Sequence, residues 1–186
     1  MPQSHAHPLV YLAGPDVFLP DSARAFEALK AACARHGLQG LEPSDGELPE
    51  DFDGTDDERA QRIYEGNIRR IARCDAVLAH VCDFRGLEPD SGTVFEIGYA
   101  VALGKPVATY GVTAGSYADR VAAVRPCTPD AQGVLRETAS GLMVEGLGQR
   151  LNLMLTRSTH LAATFDEALA QLARLLGHGR EEQRAP

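Results

Sequence analysis

Short apolar runs alternate with helical segments along most of the chain, and this alternation constrains the fold more strongly than any other feature. "LVYLAGP" (9–15) is typical of a buried strand that ends in a turn, and a helical segment from Asp21 or Ser22 to Gly37 follows it. Strands that alternate with helices of this length predict parallel βαβ units. We therefore predict an α/β fold, a flavodoxin-like, doubly wound, five-stranded parallel sheet with flanking helices.

The rest of the chain supplies the other elements of this pattern. Apolar runs predict further strands at 38–43, 75–81, 105–112 and 159–164. Helical spacing predicts helices at 57–74, 93–103 and 165–179, and another that begins near Gln149. Residues 44–57 are acidic and rich in turn formers, which predicts a loop, whereas residues 113–141 show little periodicity of either kind.

Length and composition fit a single globular domain. A chain of 186 residues with 44% apolar and 24% charged residues can bury a core of its own. No repeat or linker divides it, so we predict one domain over 1–186, with residues 1–7 and 180–186 frayed. No apolar run is long enough to span a bilayer, and the first residues lack the basic and apolar regions of a signal peptide. These features favour a cytoplasmic protein that does not bind membranes.

Charge and motif content argue against several classes of ligand. The formal net charge of −8 disfavours nucleic acid as a partner, because an acidic surface repels polyphosphate. The turn after the first strand lacks the GxGxxG and GxxxxGK[ST] motifs of dinucleotide and P-loop sites. The four cysteines show no CxxC spacing, and no Cys/His cluster has ligand spacing. We therefore expect free thiols, no metal and no cofactor.

Doubly wound parallel sheets bind ligands beyond the carboxyl ends of their strands. This rule selects three segments of the chain, "AGPDVF" (13–18), "CDFRGLEPDSG" (82–92) and "YGVTAGS" (110–116). Gly14 in the first segment is suited to a tight turn or to close approach of a ligand. Tyr11 and His80, inside or at the end of predicted strands, are more often core residues than ligand contacts.

Glu96 interrupts the most apolar helix of the chain, in the stretch "DSGTVFEIGYA" (90–100). Its neighbours three and four positions away are all uncharged, so no salt bridge within the helix satisfies it. If this helix packs on the sheet, Glu96 lies close to the strand ends, where the helix dipole favours the ionised carboxylate. Such a carboxylate is suited to nucleophilic attack on an electrophilic sugar carbon. The alternative interpretation is an ordinary surface glutamate.

Asp90 precedes the same helix and has two interpretations. It can be the N-cap, a role for which Ser91 is the other candidate. It can also form a carboxylate pair with Glu96 in which the two groups divide the acid and nucleophile roles, as in retaining glycosidases. Asp83 and Arg85 lie in the preceding loop, where an ion pair between them is the alternative to a role in binding.

Three stretches, "VYLAGPDVF", "CDAVLAHVCDFRGLEPDSGTVFEIGYAVALGKPV" and "LNLML", together resemble the nucleoside 2-deoxyribosyltransferase family over about residues 8–160. The resemblance implies transfer of 2-deoxyribose, with a deoxynucleoside and a free nucleobase as substrates. Glu96 matches the family's nucleophile, which attacks the anomeric carbon to form a covalent deoxyribosyl-enzyme. Asp90 matches the aspartate that assists proton transfer to and from the base, and Tyr11 matches a tyrosine that orients the nucleophile.

The same resemblance implies a homo-oligomer, either a dimer or a hexamer of three dimers. Asn152 matches an asparagine that reaches into a neighbouring subunit's site to bind the sugar 5′-hydroxyl. Asn67 stands where some family members carry an aspartate that contacts the sugar, and its amide can bind a hydroxyl without carrying charge. The predicted substrate-binding residues are Gly14, Pro15, Asn67, Asp83, Phe84, Arg85, Gly92, Asn152 and Met154.

Two other functions fit the same sequence. A hydrolase of this superfamily would cleave deoxynucleosides or their 5′-monophosphates with water. Binding of a 5′-phosphate favours cationic or hydroxyl groups, whereas Asp16 after the first strand would repel it. A non-catalytic nucleoside-binding module would keep the site without a correctly placed Glu96.

Overall fold

The computed structural model describes residues 7–43 and 51–182. Their strands are β1 (Leu9–Ala13), β2 (Gln39–Leu41), β3 (Ala76–His80), β4 (Val107–Tyr110), β5 (Cys127–Pro129), β6 (Leu135–Glu137) and β7 (His160–Leu161). Their α-helices are α1 (Ser22–Arg35), α2 (Asp56–Arg73), α3 (Ser91–Ala102), α4 (Tyr117–Val124), α5 (Leu153–Ser158) and α6 (Phe165–Glu182). A short 3-10 helix, Pro15–Phe18, follows β1.

The five strands predicted from the sequence form one parallel sheet in the order β2-β1-β3-β4-β7. Tyr11 of β1 lies opposite Leu41 of β2 on one side and Val77 of β3 on the other. After β1 the chain forms β2 on one side of it and then β3 on the other side. This change of direction creates a switch point between β1 and β3. The predicted α/β class and the doubly wound five-stranded sheet are confirmed.

The two faces of the sheet are covered by different helices, and the alternation of side chains along β1 shows which helices cover each face. Leu9, Tyr11 and Ala13 belong to the core formed with α2, α3 and α5. Val10 and Leu12 belong to the core formed with α1 and α6. Because successive side chains of a strand point to opposite faces, the tyrosine in the middle of β1 is directed towards α2 and α3.

Helix α3 has a defined start and end. The Asp90 side chain caps it by accepting a hydrogen bond from the Thr93 backbone N–H. Gly104, with φ of 70°, follows the last turn in the left-handed conformation that glycine adopts readily. Thr93 and Ile97 are buried against the sheet. Glu96 lies beside them, halfway along the helix and partly shielded from solvent.

Residues 113–141 are more regular than their lack of periodicity indicates. They contain α4, which Ser116 and Asp119 cap reciprocally, and the antiparallel hairpin of β5 and β6. A helix of eight residues and strands of three are too short to produce a periodic pattern. The predicted start of a helix near Gln149 is wrong, because α5 begins at Leu153 after the N-cap Asn152.

Helix α2 begins at Asp56, inside the segment predicted as a loop. The Thr55 hydroxyl accepts from the Glu58 N–H, and the Glu58 carboxylate accepts from the Thr55 N–H, which is a capping box. The C-terminal helix α6 continues to Glu182. The predictions that lie outside the described residues concern 44–50 of the loop and 1–6 and 183–186 of the frayed termini.

Candidate active site

A cavity of about 440 Å³ opens where β1 and β2 end. It lies between the 3-10 helix after β1 and helices α2 and α3, at the edge of the sheet where parallel folds bind ligands. Its volume is in the range of small-molecule sites. The residues that line it are Gly14, Val17, Phe18, Pro43, Ile63, Asn67, Asp90, Gly92, Thr93 and Glu96.

The Glu96 carboxylate is held in this cavity by a hydrogen bond from strand β1. The Tyr11 hydroxyl donates to Glu96 Oε1 over 2.6 Å. Burial raises the pKa of Glu96 to about 7, the hydrogen bond from Tyr11 opposes this rise, and the nearby charge of Asp90 adds to it. A carboxyl group with this pKa is about half ionised near neutral pH, and it sits where a substrate can reach it.

Tyr11 keeps its proton and therefore remains a donor to Glu96. Its ring is fully buried in the core between the sheet and helices α2 and α3. Burial and the adjacent Glu96 carboxylate raise the pKa of Tyr11 well above its usual range. The interpretation of Tyr11 as a core residue and its predicted role in orienting Glu96 are compatible, because the ring packs while the hydroxyl donates.

Asp90 lines the same cavity at the start of α3. One of its oxygens, Oδ2, accepts hydrogen bonds from the Thr93 backbone N–H at 2.9 Å and from the Thr93 hydroxyl at 3.0 Å. Asp90 is thus the N-cap, whereas the other candidate, Ser91, is the first residue of the helix. The cap geometry leaves the carboxylate beside the cavity, so the cap role does not exclude a chemical one.

Three further predicted residues, Gly14, Asn67 and Gly92, also line the cavity. Pro15 is buried at the first position of the adjacent 3-10 helix. Asn67 lies on α2, across the cavity from α3, and is partly buried. Gly14, Asn67 and Gly92 thus share the cavity with Glu96, and Asn67 is the one of these three that brings a polar side chain.

Asp16 and His80 form a pair beside this cavity. Asp16 Oδ2 lies 2.9 Å from His80 Nδ1, and the His80 ring stacks on Tyr110 with 4.7 Å between centroids. A Cβ atom added to Gly14 would lie 2.9 Å from His80 Cβ, and one added to Gly111 would lie 2.5 Å from His80 Cδ2. The two glycines therefore leave the space that the histidine fills, and the histidine ties the 3-10 helix to the end of β3.

Asp83 pairs with a residue that the sequence analysis did not consider. Arg120 Nη1 lies 2.6 Å from Asp83 Oδ1, and Arg120 Nη2 donates to the Arg150 carbonyl oxygen at 2.8 Å. An Asp83–Arg85 ion pair is therefore wrong. Asp83, Phe84 and Arg85 are not among the residues that line the cavity around Glu96.

Phe84 and Arg85 do not line that cavity themselves, but they contact Phe18, which does. The exposed Phe18 ring lines the cavity and stacks on Phe84 with 5.4 Å between centroids. The Arg85 guanidinium lies 4.8 Å from the Phe84 centroid and 5.5 Å from the Phe18 centroid. Phe84 and Arg85 thus support one wall of the cavity from outside.

Asn152 and Met154 lie in a different cavity of about 420 Å³, next to the start of α3 and formed with α4 and α5. Asn152 Oδ1 accepts from the Met154 N–H at 3.0 Å, and Asn152 Nδ2 donates to Glu145 Oε2 at 3.0 Å. The Met154 side chain is 70% exposed. Within one subunit, therefore, Asn152 and Met154 do not line the cavity that contains Glu96.

Five residues of the cavity wall, four of them apolar, were not predicted from the sequence. Val17, Phe18, Pro43, Ile63 and Thr93 line it but were not singled out. Val17 and Phe18 do belong to the segment after β1 that the strand-end rule selected. Apolar residues at helical or strand-end positions look the same in sequence whether they face a core or a ligand, so their role could only be seen in three dimensions.

Residues 7–43 and 51–182 contain neither a candidate metal site nor a candidate membrane-spanning helix. No group of three or more His, Cys, Asp or Glu side chains in these ranges could hold a metal ion. No helix among them has the length and apolar character needed to cross a membrane. All four cysteines are free, as predicted, and Cys33 and Cys74 are buried.

The family model and the structural comparison with known proteins indicate the same family. A sequence model described as nucleoside 2-deoxyribosyltransferase matches residues 10–154. The structure of a 2-desoxiribosyltransferase from Leishmania mexicana is similar with a TM-score of 0.71 and 32% identity, and the match covers 90% of this chain and 97% of that one. An uncharacterised protein of Schizosaccharomyces pombe is 32% identical over 162 residues, which are 82% of this chain and 77% of that protein.

The fold also occurs in a more distant protein. The structure of a conserved protein from Enterococcus faecalis V583 has a TM-score of 0.58 and 17% identity, and the match covers 92% of this chain and 99% of that one. At this level of identity the likeness extends to the arrangement of strands and helices alone.

Proposed function

Because the chain belongs to the nucleoside 2-deoxyribosyltransferase family, we propose that it transfers 2-deoxyribose between nucleobases through a covalent intermediate on Glu96. The observation that carries this proposal is the Glu96 carboxylate in the cavity, held by the Tyr11 hydroxyl at 2.6 Å and accompanied by Asp90 on the same wall. One carboxylate can attack the sugar while the other handles the proton of the base.

In the first half of the reaction, ionised Glu96 attacks the anomeric carbon from the face opposite the base. The bond between that carbon and the base nitrogen breaks, and its electron pair stays with the base. Asp90 in its protonated form gives its proton to the departing base. The products are a neutral base and a deoxyribosyl ester of Glu96.

In the second half, a nitrogen of the incoming base attacks the anomeric carbon of this ester. The Glu96 carboxylate leaves with the electron pair of the ester bond, and the proton of the attacking base goes to Asp90. Each half inverts the configuration at the anomeric carbon, so the product keeps the configuration of the substrate. Atoms and charges balance over the cycle, and both carboxyl groups return to their starting forms.

The surroundings of Glu96 suit both halves of this cycle. Attack requires the ionised form, which the Tyr11 hydrogen bond favours. Departure of the sugar leaves Glu96 as a carboxylate in a shielded site, where the same hydrogen bond stabilises its charge. Burial opposes ionisation and leaves the pKa of Glu96 at about 7, so the anion is both available near neutral pH and poorly solvated.

The described wall of the cavity favours a neutral nucleoside over a nucleotide. Its acidic side chains are the carboxyl groups of Asp90 and Glu96, and none of the described lining residues is cationic. A 5′-phosphate in such a site would meet like charge without a compensating cation. The exposed face of Phe18 offers a flat surface on which a nucleobase can stack.

We also propose that the active unit is at least a dimer, in which Asn152 binds the sugar 5′-hydroxyl in the partner's cavity. Two observations support this. Asn152 is exposed and lies outside its own subunit's Glu96 cavity, and the neighbouring Leu153 and Met154 side chains are 36% and 70% exposed. A two-fold contact through this segment would cover those apolar side chains and complete both sites.

The decisive experiment is incubation of the protein with deoxyinosine and free adenine, followed by chromatography. Deoxyadenosine as product would support the transferase. Hypoxanthine without a new nucleoside would instead identify a hydrolase that uses water, and an unchanged mixture would favour a nucleoside-binding module.

The matched pair of variants for this assay is Glu96→Gln and Glu65→Gln. Glu65 is an exposed glutamate on α2 that pairs with Arg69 and accepts a hydrogen bond from Gln61. It is not among the residues that line the cavity. Glu96→Gln should abolish transfer, whereas Glu65→Gln should leave it unchanged. Equal transfer by both variants would contradict the role of Glu96.

A further inference from the structure

The two oxygens of the Asp90 carboxylate have different surroundings. Oδ2 accepts two hydrogen bonds, from the Thr93 backbone N–H at 2.9 Å and from the Thr93 hydroxyl at 3.0 Å. No hydrogen bond from the described residues reaches Oδ1. One oxygen is therefore committed to the protein, and the other is free to meet a ligand in the cavity.

Gly92 contributes to this arrangement through its lack of a side chain. A Cβ atom built at this position would lie 3.1 Å from Asp90 Oδ2, closer than such contacts ordinarily are. Glycine thus leaves Oδ2 the room to turn towards Thr93. Thr93 itself is only 1% exposed, so its hydroxyl is shielded from bulk water and directed at Asp90.

The threonine hydroxyl is not needed to cap the helix. The cap is satisfied by the backbone N–H of residue 93, which any residue other than proline would supply. The hydroxyl adds a second donor to the same oxygen and so fixes the rotation of the carboxylate. A buried hydroxyl that duplicates a cap at the edge of a cavity calls for an explanation beyond helix stability.

We propose that Thr93 is a positioning residue that fixes Asp90 so that Oδ1 carries the proton exchanged with the nucleobase. This inference rests on the proposed transfer reaction. In the first half of the cycle, the proton on Oδ1 moves to the departing base, and the charge left on the carboxylate is met at Oδ2 by both Thr93 donors. In the second half, the proton of the incoming base returns to Oδ1.

The test compares two substrates that differ in their need for a proton. The hypoxanthine base of deoxyinosine departs readily only if it is protonated. The base of 7-methyl-2′-deoxyguanosine is already cationic and departs without an added proton. Thr93→Val keeps the backbone donor and the shape of the side chain but removes the hydroxyl. It should lower kcat for deoxyinosine by about tenfold or more, the scale of one hydrogen bond to a charged group. It should leave the methylated substrate near the wild-type rate.

Thr93→Ser keeps the hydroxyl and should retain near-normal rates on both substrates. Asp90→Asn provides the reference, because it should show the same selective loss as Thr93→Val, but larger. If Asp90→Asn is selective and Thr93→Val is not, the role of Thr93 is wrong while the transfer mechanism stands. If Asp90→Asn itself shows no selectivity, the acid role of Asp90 and the inference drawn from it are both overturned.

A structural effect of the valine is separated by two further measurements. In the Asp90→Asn background, Thr93→Val should cost no additional rate on deoxyinosine, since there is no carboxylate left to position. An equal further loss there would overturn the proposal. Should the valine variant fail to fold, Thr93→Ala removes the same hydroxyl without adding bulk, and the same outcomes apply to it.

Discussion

The Tyr11 hydroxyl donates a 2.6 Å hydrogen bond to Glu96 Oε1, joining strand β1 of the sheet to a helix residue 85 positions later. The bond exists because the alternation of β1 directs Tyr11 towards α3, where Glu96 sits in a cavity rather than in the core. It favours the ionised form of a carboxyl group whose pKa burial raises to about 7. The pH dependence of the reaction should therefore reflect both the burial of Glu96, which raises its pKa, and the hydrogen bond from Tyr11, which lowers it.

Replacing Tyr11 by phenylalanine should shift the pH dependence of catalysis. The hydrogen bond lowers the pKa of Glu96, so its loss should raise that pKa above about 7. Because only the ionised carboxylate attacks, kcat of the wild type should rise with pH through about 7, and the midpoint for Tyr11→Phe should lie at higher pH. The measurement is kcat between about pH 5 and 9.

The control for this variant is Tyr99→Phe, on the same helix as Glu96. Tyr99 is partly buried and packs against the same core, and it lies outside the residues that line the cavity. Its removal should lower stability at most and leave the midpoint in place. A midpoint that stays unchanged in Tyr11→Phe, or that moves equally in Tyr99→Phe, would contradict the account of the hydrogen bond.

Glu96 should also make stability depend on pH. Its pKa is about 7 in the folded protein, against an ordinary value of 4.5, so the folded state binds more protons than the unfolded chain between these values. The free energy of unfolding contributed by Glu96 therefore falls as pH rises from 4.5 to about 7 and is constant above. Glu96→Gln should remove this loss, on the order of 3 kcal/mol at most.

Urea unfolding of wild type and Glu96→Gln at pH 5 and pH 8 measures the effect. The variant should gain stability relative to the wild type as pH rises. A difference in unfolding free energy that is the same at both pH values would mean that Glu96 titrates normally in the folded protein.

The sequence indicated Glu96 and Asp90 because local patterns carry the information. A charged residue inside an apolar helix and an acidic residue before it are visible without knowledge of the fold, and the strand-end rule directs them to the ligand edge of the sheet. Tyr11 was linked to Glu96 through the family resemblance alone. No local pattern joins residues that far apart.

Contacts made by irregular segments could not be predicted in this way. Asp83 was considered with Arg85, two positions away, whereas its partner Arg120 lies on a helix of eight residues that periodicity does not detect. The start of α5 was missed for a similar reason. Apolar residues before Asn152 extend the helical pattern, but the Asn152 side chain caps the helix only after them.

The Asp83–Arg120 pair should be important for stability, in contrast to a more exposed pair of similar length. The side chains of Arg120 and Asp83 are 8% and 30% exposed. Arg120→Met would leave the aspartate without its partner, at a cost of about 3 kcal/mol. Arg136→Met breaks a 2.7 Å pair with Asp130 in which the arginine is 42% exposed, and it should cost less than about 1 kcal/mol.

Thermal and urea unfolding of both variants checks this comparison. Similar losses for the two pairs would show that burial of Arg120 adds nothing. The larger loss should occur in Arg120→Met, because Arg120 also donates to the Arg150 carbonyl and ties the loop before α3 to the segment before α5.

Mixing two inactive variants tests the shared site. Glu96→Ala removes the nucleophile of its own cavity, and Asn152→Ala removes the group proposed to reach the partner. In a hybrid dimer one cavity carries both defects and the other carries neither. After dissociation and reassociation of equal amounts, activity should return to about a quarter of the wild-type value for random dimers. If subunits demonstrably exchange and no activity returns, Asn152 serves its own subunit.

The most direct test of the account is identification of the residue that bonds to the sugar. A 2′-fluoro-2′-deoxynucleoside should form the glycosyl-enzyme but release it slowly, because fluorine at that position disfavours the positive charge that develops at the anomeric carbon. Peptide mass spectrometry of the trapped protein should find one fluorodeoxyribosyl group, on Glu96, and none in Glu96→Gln. A label on another residue, or turnover of deoxyinosine and adenine by a Glu96→Gln protein, would contradict covalent catalysis by Glu96.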